Sequence, residues 1–297
     1  MALAFGACSP RQYPVTHFAA CYPNHAYDTV SFRWVNPPDF VIKFLSKRYS
    51  NYSLMVANSA ALLNLLYEQE REKLKLKSDA SALQHIVVLE KKEAILHRIN
   101  LFRSEVASVA AELDCEGERA DRLGVYLDNV DRIRTRNLTV ASIVTGAIGG
   151  IASALLDGNA SKTAAISGGG ASAILGLISL SSQKKIFLKH PRNLLRDVWN
   201  VPLHSKDYPA MVWNMLSQAT FSNGHDFSVI YYTRKQWEDI EGLKSNQKEI
   251  KLLMSDGGYY TANQLKLRAN MINQLQAVVK LIDQDIQGLL SEIVRED

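Results

Sequence analysis

The side chains best suited to catalysis or metal binding are seven histidines and three cysteines. The histidines form no HExxH motif, and the cysteines form no CxxC pair that would favour zinc or redox chemistry. His17 and Cys21 are four residues apart, but Pro14 and Pro23 disfavour the regular helix that would bring them together. We therefore predict no metal site and no cofactor.

Two histidines lie close to a carboxylate in the sequence, as a general base and its orienting partner would. The pairs are His204 with Asp207 and His225 with Asp226. Such spacings arise often by chance, which favours structural or solvated roles. The segments GAIGG and SGGGAS lack the lysine and hydroxyl residue of a phosphate loop, and no GxSxG motif is present. We predict no catalytic residues, and an enzyme of the cell envelope remains only a third alternative.

Composition excludes several classes of protein. The chain has 297 residues, of which 47% are hydrophobic, so it is neither disordered nor collagen-like. Its 34 basic and 30 acidic residues leave a net charge of +4, too small a surplus to predict nucleic-acid binding. Three cysteines are too few for a disulfide framework.

The N-terminus ends an apolar run of small residues with a cysteine. Phe5, Gly6, Ala7 and Cys8 resemble the lipobox of bacterial lipoproteins, which implies that Cys8 is the lipidated first residue of the mature protein. Seven preceding residues are too few for a complete secretory signal. The alternative is a frayed N-terminus on a protein that is not exported. Because one acyl chain binds membranes only marginally, a lipid anchor would need a second membrane signal.

That second signal is available in the middle of the chain. No charged residue occurs from Asn137 to Leu156 or from Thr163 to Gln183, and the turn-forming segment DGNASK connects these runs. Each run is long enough to cross a hydrocarbon core as a helix. We predict a helical hairpin over residues 137–185 that contacts a lipid bilayer. The alternative is an Ala/Gly-rich hairpin buried in a soluble bundle.

Small residues recur four apart in both runs, as in a glycine zipper. In lipid, such rows permit close van der Waals contact between helices, either within the hairpin or between copies of the chain. The predicted packing residues are Ala141, Thr145, Gly146, Gly149, Gly150 and Ser153 in the first run, and Gly168, Gly169, Ser172 and Gly176 in the second.

Basic residues flank both runs and would lie at one end of the hairpin. This arrangement is typical of a hairpin whose basic ends stay at a headgroup surface. The residues are Arg132, Arg134 and Arg136 before the first run, and Lys184, Lys185 and Lys189 after the second.

Long amphipathic helices are predicted on either side of the hairpin. Residues 51–136 contain heptad rows, including Ile95, Phe102 and Val109, with breaks expected near 77–80 and 114–117. Residues 261–297 continue the pattern in a helix-pairing seam expected to pack antiparallel against residues 88–113. This seam contains Ile272, Leu275, Val279, Ile282, Ile286, Leu289 and Ile293.

Aromatic and β-branched residues indicate a small α+β element in residues 186–260. Possible strands are Tyr27–Val35, within the irregular N-terminal segment 1–50, and Phe227–Thr233. A cluster of aromatic residues is typical either of the headgroup zone or, as we prefer, of the core of this element. The cluster contains Trp199, Tyr208, Trp213, Phe221, Tyr231, Tyr232 and Trp237.

The predicted fold is mainly α: an elongated antiparallel helical bundle with a mid-chain apolar hairpin. Over residues 52–297 this organisation resembles the ClyA and haemolysin BL family of α-helical pore formers, which implies hairpin insertion on oligomerisation. We expect a non-catalytic, membrane-anchored scaffold or assembly subunit of the bacterial cell envelope, partnered by copies of itself or by other envelope proteins. The alternative is a secreted pore-forming protein.

Overall fold

The computed structural model describes residues 21–25, 27, 37–76, 81–156, 158–181, 183–221 and 226–295. The predicted mainly α fold with a small α+β element is confirmed. The helices are α1 (Asp39–Leu45), α2 (Asn51–Ser59), α3 (Leu63–Lys75), α4 (Ala82–Leu155), α5 (Asn159–Ser181), α6 (Leu194–Asn200), α7 (Ala210–Ser217), α8 (Val229–Asp239), α9 (Gln247–Leu253) and α10 (Ala262–Val294), and the strands are β1 (Ile186–Lys189) and β2 (Gly257–Tyr260).

The two longest helices pair antiparallel, as predicted. In α4, Ile95, Phe102 and Val109 are buried, and in α10 every residue of the predicted seam is buried. Burying each such side chain stabilises the fold by roughly 1.5–3 kcal/mol. Polar pairs along the edge fix the register: Arg103 with Asp283 at 2.9 Å, Asp114 with Gln276 at 2.8 Å and Asp128 with Lys266 at 3.2 Å.

Capping boxes start both long helices. Ser81 accepts a hydrogen bond from the backbone of Gln84 at the start of α4, and Thr261 accepts one from Gln264 at the start of α10. Each glutamine side chain accepts a hydrogen bond from the backbone of its cap residue. The Lys266–Asp128 pair places the start of α10 beside the part of α4 that precedes the predicted hairpin.

The helix break predicted near residues 114–117 is wrong, because α4 continues through it. A Cβ atom at Gly117 would lie 2.7 Å from Asn273 Oδ1 and 3.2 Å from Ile272 Cγ2. The glycine therefore serves close packing against α10 and does not end the helix. The other break is present: α3 ends at Lys75 and α4 begins at Ala82, with residues 77–80 outside the described chain.

The small sheet is built from different residues than predicted. Strand β1 pairs antiparallel with β2, with Ile186 opposite Tyr260. Phe227–Thr233 is not a strand, since most of it lies in α8, which Ser228 caps at its N-terminus. The proposed strand Tyr27–Val35 lies outside the described residues except for Tyr27.

Residues 186–260 pack around the start of α10. The guanidinium of Arg268 is fully buried and donates hydrogen bonds to Asn193 Oδ1 and to the backbone oxygen of Leu253. His190 Nε2 lies 2.8 Å from the Tyr260 hydroxyl. The aromatic residues of this segment are largely core, as preferred: Tyr208, Trp213, Phe221 and Trp237 are buried.

Candidate functional site

The candidate site is the hairpin, which we define as residues 137–181. Its first arm is the end of α4, which crosses the predicted domain boundary at residue 136 without a break, and its second arm is α5. Residues 137–155 rise about 28 Å at 1.5 Å per residue. This length matches the roughly 30 Å hydrocarbon core of a bilayer.

Small residues bring the two arms into backbone contact. A Cβ atom at Gly168 would lie 2.6 Å from Gly149 Cα, and one at Gly146 would lie 3.1 Å from Ser172 Oγ. Gly149 and Gly168 are buried, although no other described side chain of the hairpin is. Only glycine permits this approach, so the contact depends on these positions.

Hydroxyl groups join the arms without leaving buried polar atoms unpaired. Ser172 Oγ donates to the backbone oxygen of Ser142, and Ser161 Oγ donates to that of Ser153 at 2.6 Å. Thr145 Oγ1 bonds within its own arm, to the oxygen of Ala141 at 2.7 Å. These bonds suit a medium that offers no water as a partner.

Three predicted packing glycines lie outside this contact. Cβ atoms at Gly150, Gly169 and Gly176 would meet nothing within 4 Å. Ala141 is likewise exposed on the outer side. Only part of the predicted set therefore joins the arms, because an antiparallel helix pair uses one row from each helix.

Large apolar side chains of the hairpin point outward and are not covered by the described part of the chain. An 18-residue stretch of α4 is apolar enough to span a membrane, and only 6% of it is buried. Within the described residues, this exposure favours the bilayer-contacting hairpin over the alternative of a hairpin buried in a soluble bundle. The exposed side chains are Val140, Ile143, Val144, Ile148, Ile151, Leu155, Leu156, Ile166 and Ile174.

Basic residues from both flanks of the hairpin lie near its base. The backbone N–H of Lys184 donates to Asp131 Oδ1 at 3.0 Å, which joins the two flanks. Arg132 pairs with Asp128 at 3.3 Å, while Arg136 and Lys185 are exposed. Lys189 is different, because it lies in β1 and its backbone oxygen accepts a hydrogen bond from Arg119.

A disulfide joins Cys21 to Cys115 on α4 across 94 residues of sequence, a pairing not predicted from the sequence. Three cysteines are too few for a framework of several disulfides, but they are enough for this single one. Cys8, the predicted lipidation residue, lies outside the described residues. Because the sequence has three cysteines, Cys8 is the one that this disulfide leaves over.

The disulfide adjoins a buried cluster on α4 that was also missed. The Glu112 carboxylate lies 3.2 Å from Arg192 Nε, and Arg192 stacks over the Tyr27 ring at 4.5 Å. Burial raises the pKa of Glu112 to about 7 despite Arg192. The available signal was a pair of carboxylates on the apolar face of α4, at Glu112 and Glu116, three and seven residues after Val109.

The structure describes one of the two histidine–carboxylate pairs noted in the sequence. Asp207 pairs with Arg196 at 3.0 Å, and His225 lies outside the described residues. Burial and nearby Arg268 lower the pKa of His190 to about 3, so its ring is neutral. Within the described chain, no group of three or more acidic, histidine or cysteine side chains is arranged to hold a metal ion.

Comparisons with known proteins add no relative. No protein-family model matches the chain, and no curated protein or solved structure was found to match it. The resemblance to α-helical pore formers therefore stays a prediction.

Proposed function

We propose that this protein is a non-catalytic, membrane-associated subunit of an oligomeric assembly in the bacterial cell envelope, and that its hairpin inserts into the bilayer. One observation carries the proposal: nine large apolar side chains of the hairpin are exposed. Contiguous apolar surface of this kind is typical of a membrane or protein interface.

The charge pattern favours lipid over a protein partner for this surface. Between Arg136 and Lys184 the only charged residues are Asp157 and Lys162, which lie at or next to the turn between the arms. An arm without charge for the thickness of a hydrocarbon core, with cations at its base, fits a bilayer boundary.

Flotation on liposomes tests the proposal. We expect the full chain to float and a chain with residues 138–182 replaced by a Gly/Ser linker to remain at the bottom. The double variant Ile148→Asp/Ile151→Asp should also fail to float, because charges at these exposed positions would enter hydrocarbon.

The matched control is Leu203→Asp, which changes a side chain that is 86% exposed and lies outside the hairpin. It should float like the unaltered protein. Flotation that is equal for all four proteins would overturn membrane insertion through the hairpin.

A lipid on Cys8 would supply the second anchor of this assembly. The Cys21–Cys115 disulfide leaves Cys8 as the remaining cysteine for acylation. Mass spectrometry of the protein from its membrane fraction should show an acyl mass on Cys8, and Cys8→Ser should lose it. An unmodified N-terminus would remove the lipoprotein part of the proposal.

A pore-forming role is the second candidate, favoured by the glycines that face away from the arm contact. Gly150, Gly169 and Gly176 leave open space that small residues of another hairpin would fill in lipid. Dye release from vesicles, together with rings seen by electron microscopy, would favour the pore former. Flotation without dye release would favour the scaffold.

A further inference from the structure

The disulfide identifies the compartment in which the body of the protein folds. We define the body as residues 37–136 and 183–295 together with the described residues 21–27. Cys21 is bonded to Cys115, and the Tyr27 hydroxyl lies 2.8 Å from Ser108 Oγ. Disulfides persist in secreted and periplasmic proteins and are reduced in the cytosol. The body therefore belongs on the oxidising side of a membrane.

The end of the hairpin next to the body is cationic. We name Arg132, Arg134, Arg136, Lys184 and Lys185 the collar. Two carboxylates lie among them: Asp128 pairs with Arg132 and Lys266, and Asp131 accepts from the Lys184 backbone. Five cations against two carboxylates leave the collar positive, which complements an anionic headgroup surface.

The opposite end of the hairpin has no net charge. The sequence at this end has one acid, Asp157, and one base, Lys162, which lies in the first turn of α5. Because each charge that crosses hydrocarbon opposes insertion, the turn crosses far more easily than the collar. The collar therefore stays on the side from which the protein approaches.

We propose that the collar docks on the anionic phospholipid headgroups of the leaflet facing the oxidising compartment, while the opposite end of the hairpin, at residues 157–162, crosses to the other leaflet. This inference rests on the proposed insertion of the hairpin. It reverses the orientation expected for insertion during synthesis, which keeps basic flanks cytoplasmic. The hairpin consequently enters the bilayer after export, from a folded and oxidised body.

Lipid composition tests the collar. Purified oxidised protein should bind vesicles of phosphatidylcholine and phosphatidylglycerol more tightly than vesicles of phosphatidylcholine alone. Lys184→Glu/Lys185→Glu should weaken binding to the anionic vesicles by at least about tenfold and leave binding to neutral vesicles unchanged.

The matched control is Lys43→Glu/Lys47→Glu, which reverses two exposed lysines at the opposite end of the body, where neighbouring Arg48 bonds to Arg295 at the end of α10. It should retain the preference for anionic vesicles. Equal effects of the two charge reversals, or equal binding of the unaltered protein to both vesicles, would overturn the collar.

Thiol labelling tests the orientation. In a Cys8→Ser background, Asn159→Cys marks the turn and Gln183→Cys marks the base. When protein is added outside vesicles, a membrane-impermeant maleimide should label Gln183→Cys from outside and Asn159→Cys only from inside. External labelling of Asn159→Cys in protein that floats would overturn the crossing.

Alkylation of freshly lysed cells tests the compartment. Cys21 and Cys115 should resist iodoacetamide, and their alkylation would place the body in a reducing compartment and overturn the inference. Failure of the proposed function itself is distinct, because the full chain would then float on neither kind of vesicle.

Discussion

Helix α4 packs against α10 and against α5 through two different kinds of contact. Against α10 it buries branched and aromatic side chains such as Ile99 and Phe102, whereas against α5 it buries only glycine and turns its isoleucines outward. The hydrophobic effect stabilises the first pair in water. It cannot stabilise the second, whose large side chains remain exposed, so close contact and interhelical hydrogen bonds must do so. One continuous helix thus has a buried apolar face along residues 82–136 and an exposed apolar surface beyond them, which we propose contacts lipid.

The largest effect on stability is expected from a substitution that disrupts the contact between α4 and α10. Ile282→Asp places an unpaired charge in the α10 seam, where Ile282 is buried, and should lower the free energy of unfolding by about 4 kcal/mol or more. Urea unfolding followed by circular dichroism measures the change. The control is its neighbour Leu281→Asp, 53% exposed, which should stay within about 0.5 kcal/mol of the unaltered protein. An equal loss in both would show that the seam does not stabilise the body.

The next largest effect is expected from a substitution that disrupts the contact between α4 and α5. Gly168→Leu forces apart two backbones in contact and should destabilise the hairpin in detergent by up to about 3 kcal/mol. Amide hydrogen exchange of residues 137–181 measures this, and unfolding of the body should not change. Gly169→Leu is the matched control, because a Cβ there meets nothing within 4 Å. Equal exchange in the two variants would refute the arm contact.

The smallest effect on stability is expected from Glu112, a buried carboxyl group within the body. The pKa of Glu112 is about 7 in the fold, above its ordinary 4.5, because burial disfavours the carboxylate. Its stabilising contribution is therefore complete below about pH 4.5 and is lost as pH rises through 7. From about pH 5 to pH 8 the protein should lose about 2 kcal/mol of unfolding free energy relative to Glu112→Gln.

Comparing the unaltered protein with Glu112→Gln separates the effect of Glu112 from that of His190. The pKa shift of His190 changes stability with pH in the opposite direction. The pKa of His190 is lowered to about 3, so its contribution is complete above its ordinary 6.5 and is lost on acidification. Both proteins contain His190, and it cancels in the difference. Parallel pH profiles would mean that Glu112 is ionised in the fold at all these pH values.

Sequence periodicity predicted the parts of the fold that repeat. Ile272, Val279 and Ile286 recur every seven residues, and this regularity identified α10 and its antiparallel partner. The charge-free runs predicted the hairpin, because a long stretch without charge can be read from the local sequence alone. In the candidate site, small residues were recognised, but spacing alone assigned Gly169 to the contact as readily as Gly168.

Features that depend on tertiary contact were not predictable from the sequence. Phe227–Thr233 has the composition of a strand, yet the cap at Ser228 and burial of Thr233 and Trp237 favour a helix. Gly117 was interpreted as a helix break because its partner, Asn273, is distant in the sequence. The Cys21–Cys115 disulfide likewise joins residues that no local pattern relates.

The absence of any break in α4 between residues 82 and 155 has a mechanical consequence. The helix continues without a break through residue 136, so under the proposed insertion a change in tilt of the inserted end would turn the part that packs against α10. Residues 82–136 extend about 80 Å from the base of the hairpin. A tilt of about 10° would then sweep the far end of this lever through roughly 14 Å. Bilayer thickness or curvature would thereby be transmitted to the distal end of the molecule as a large displacement.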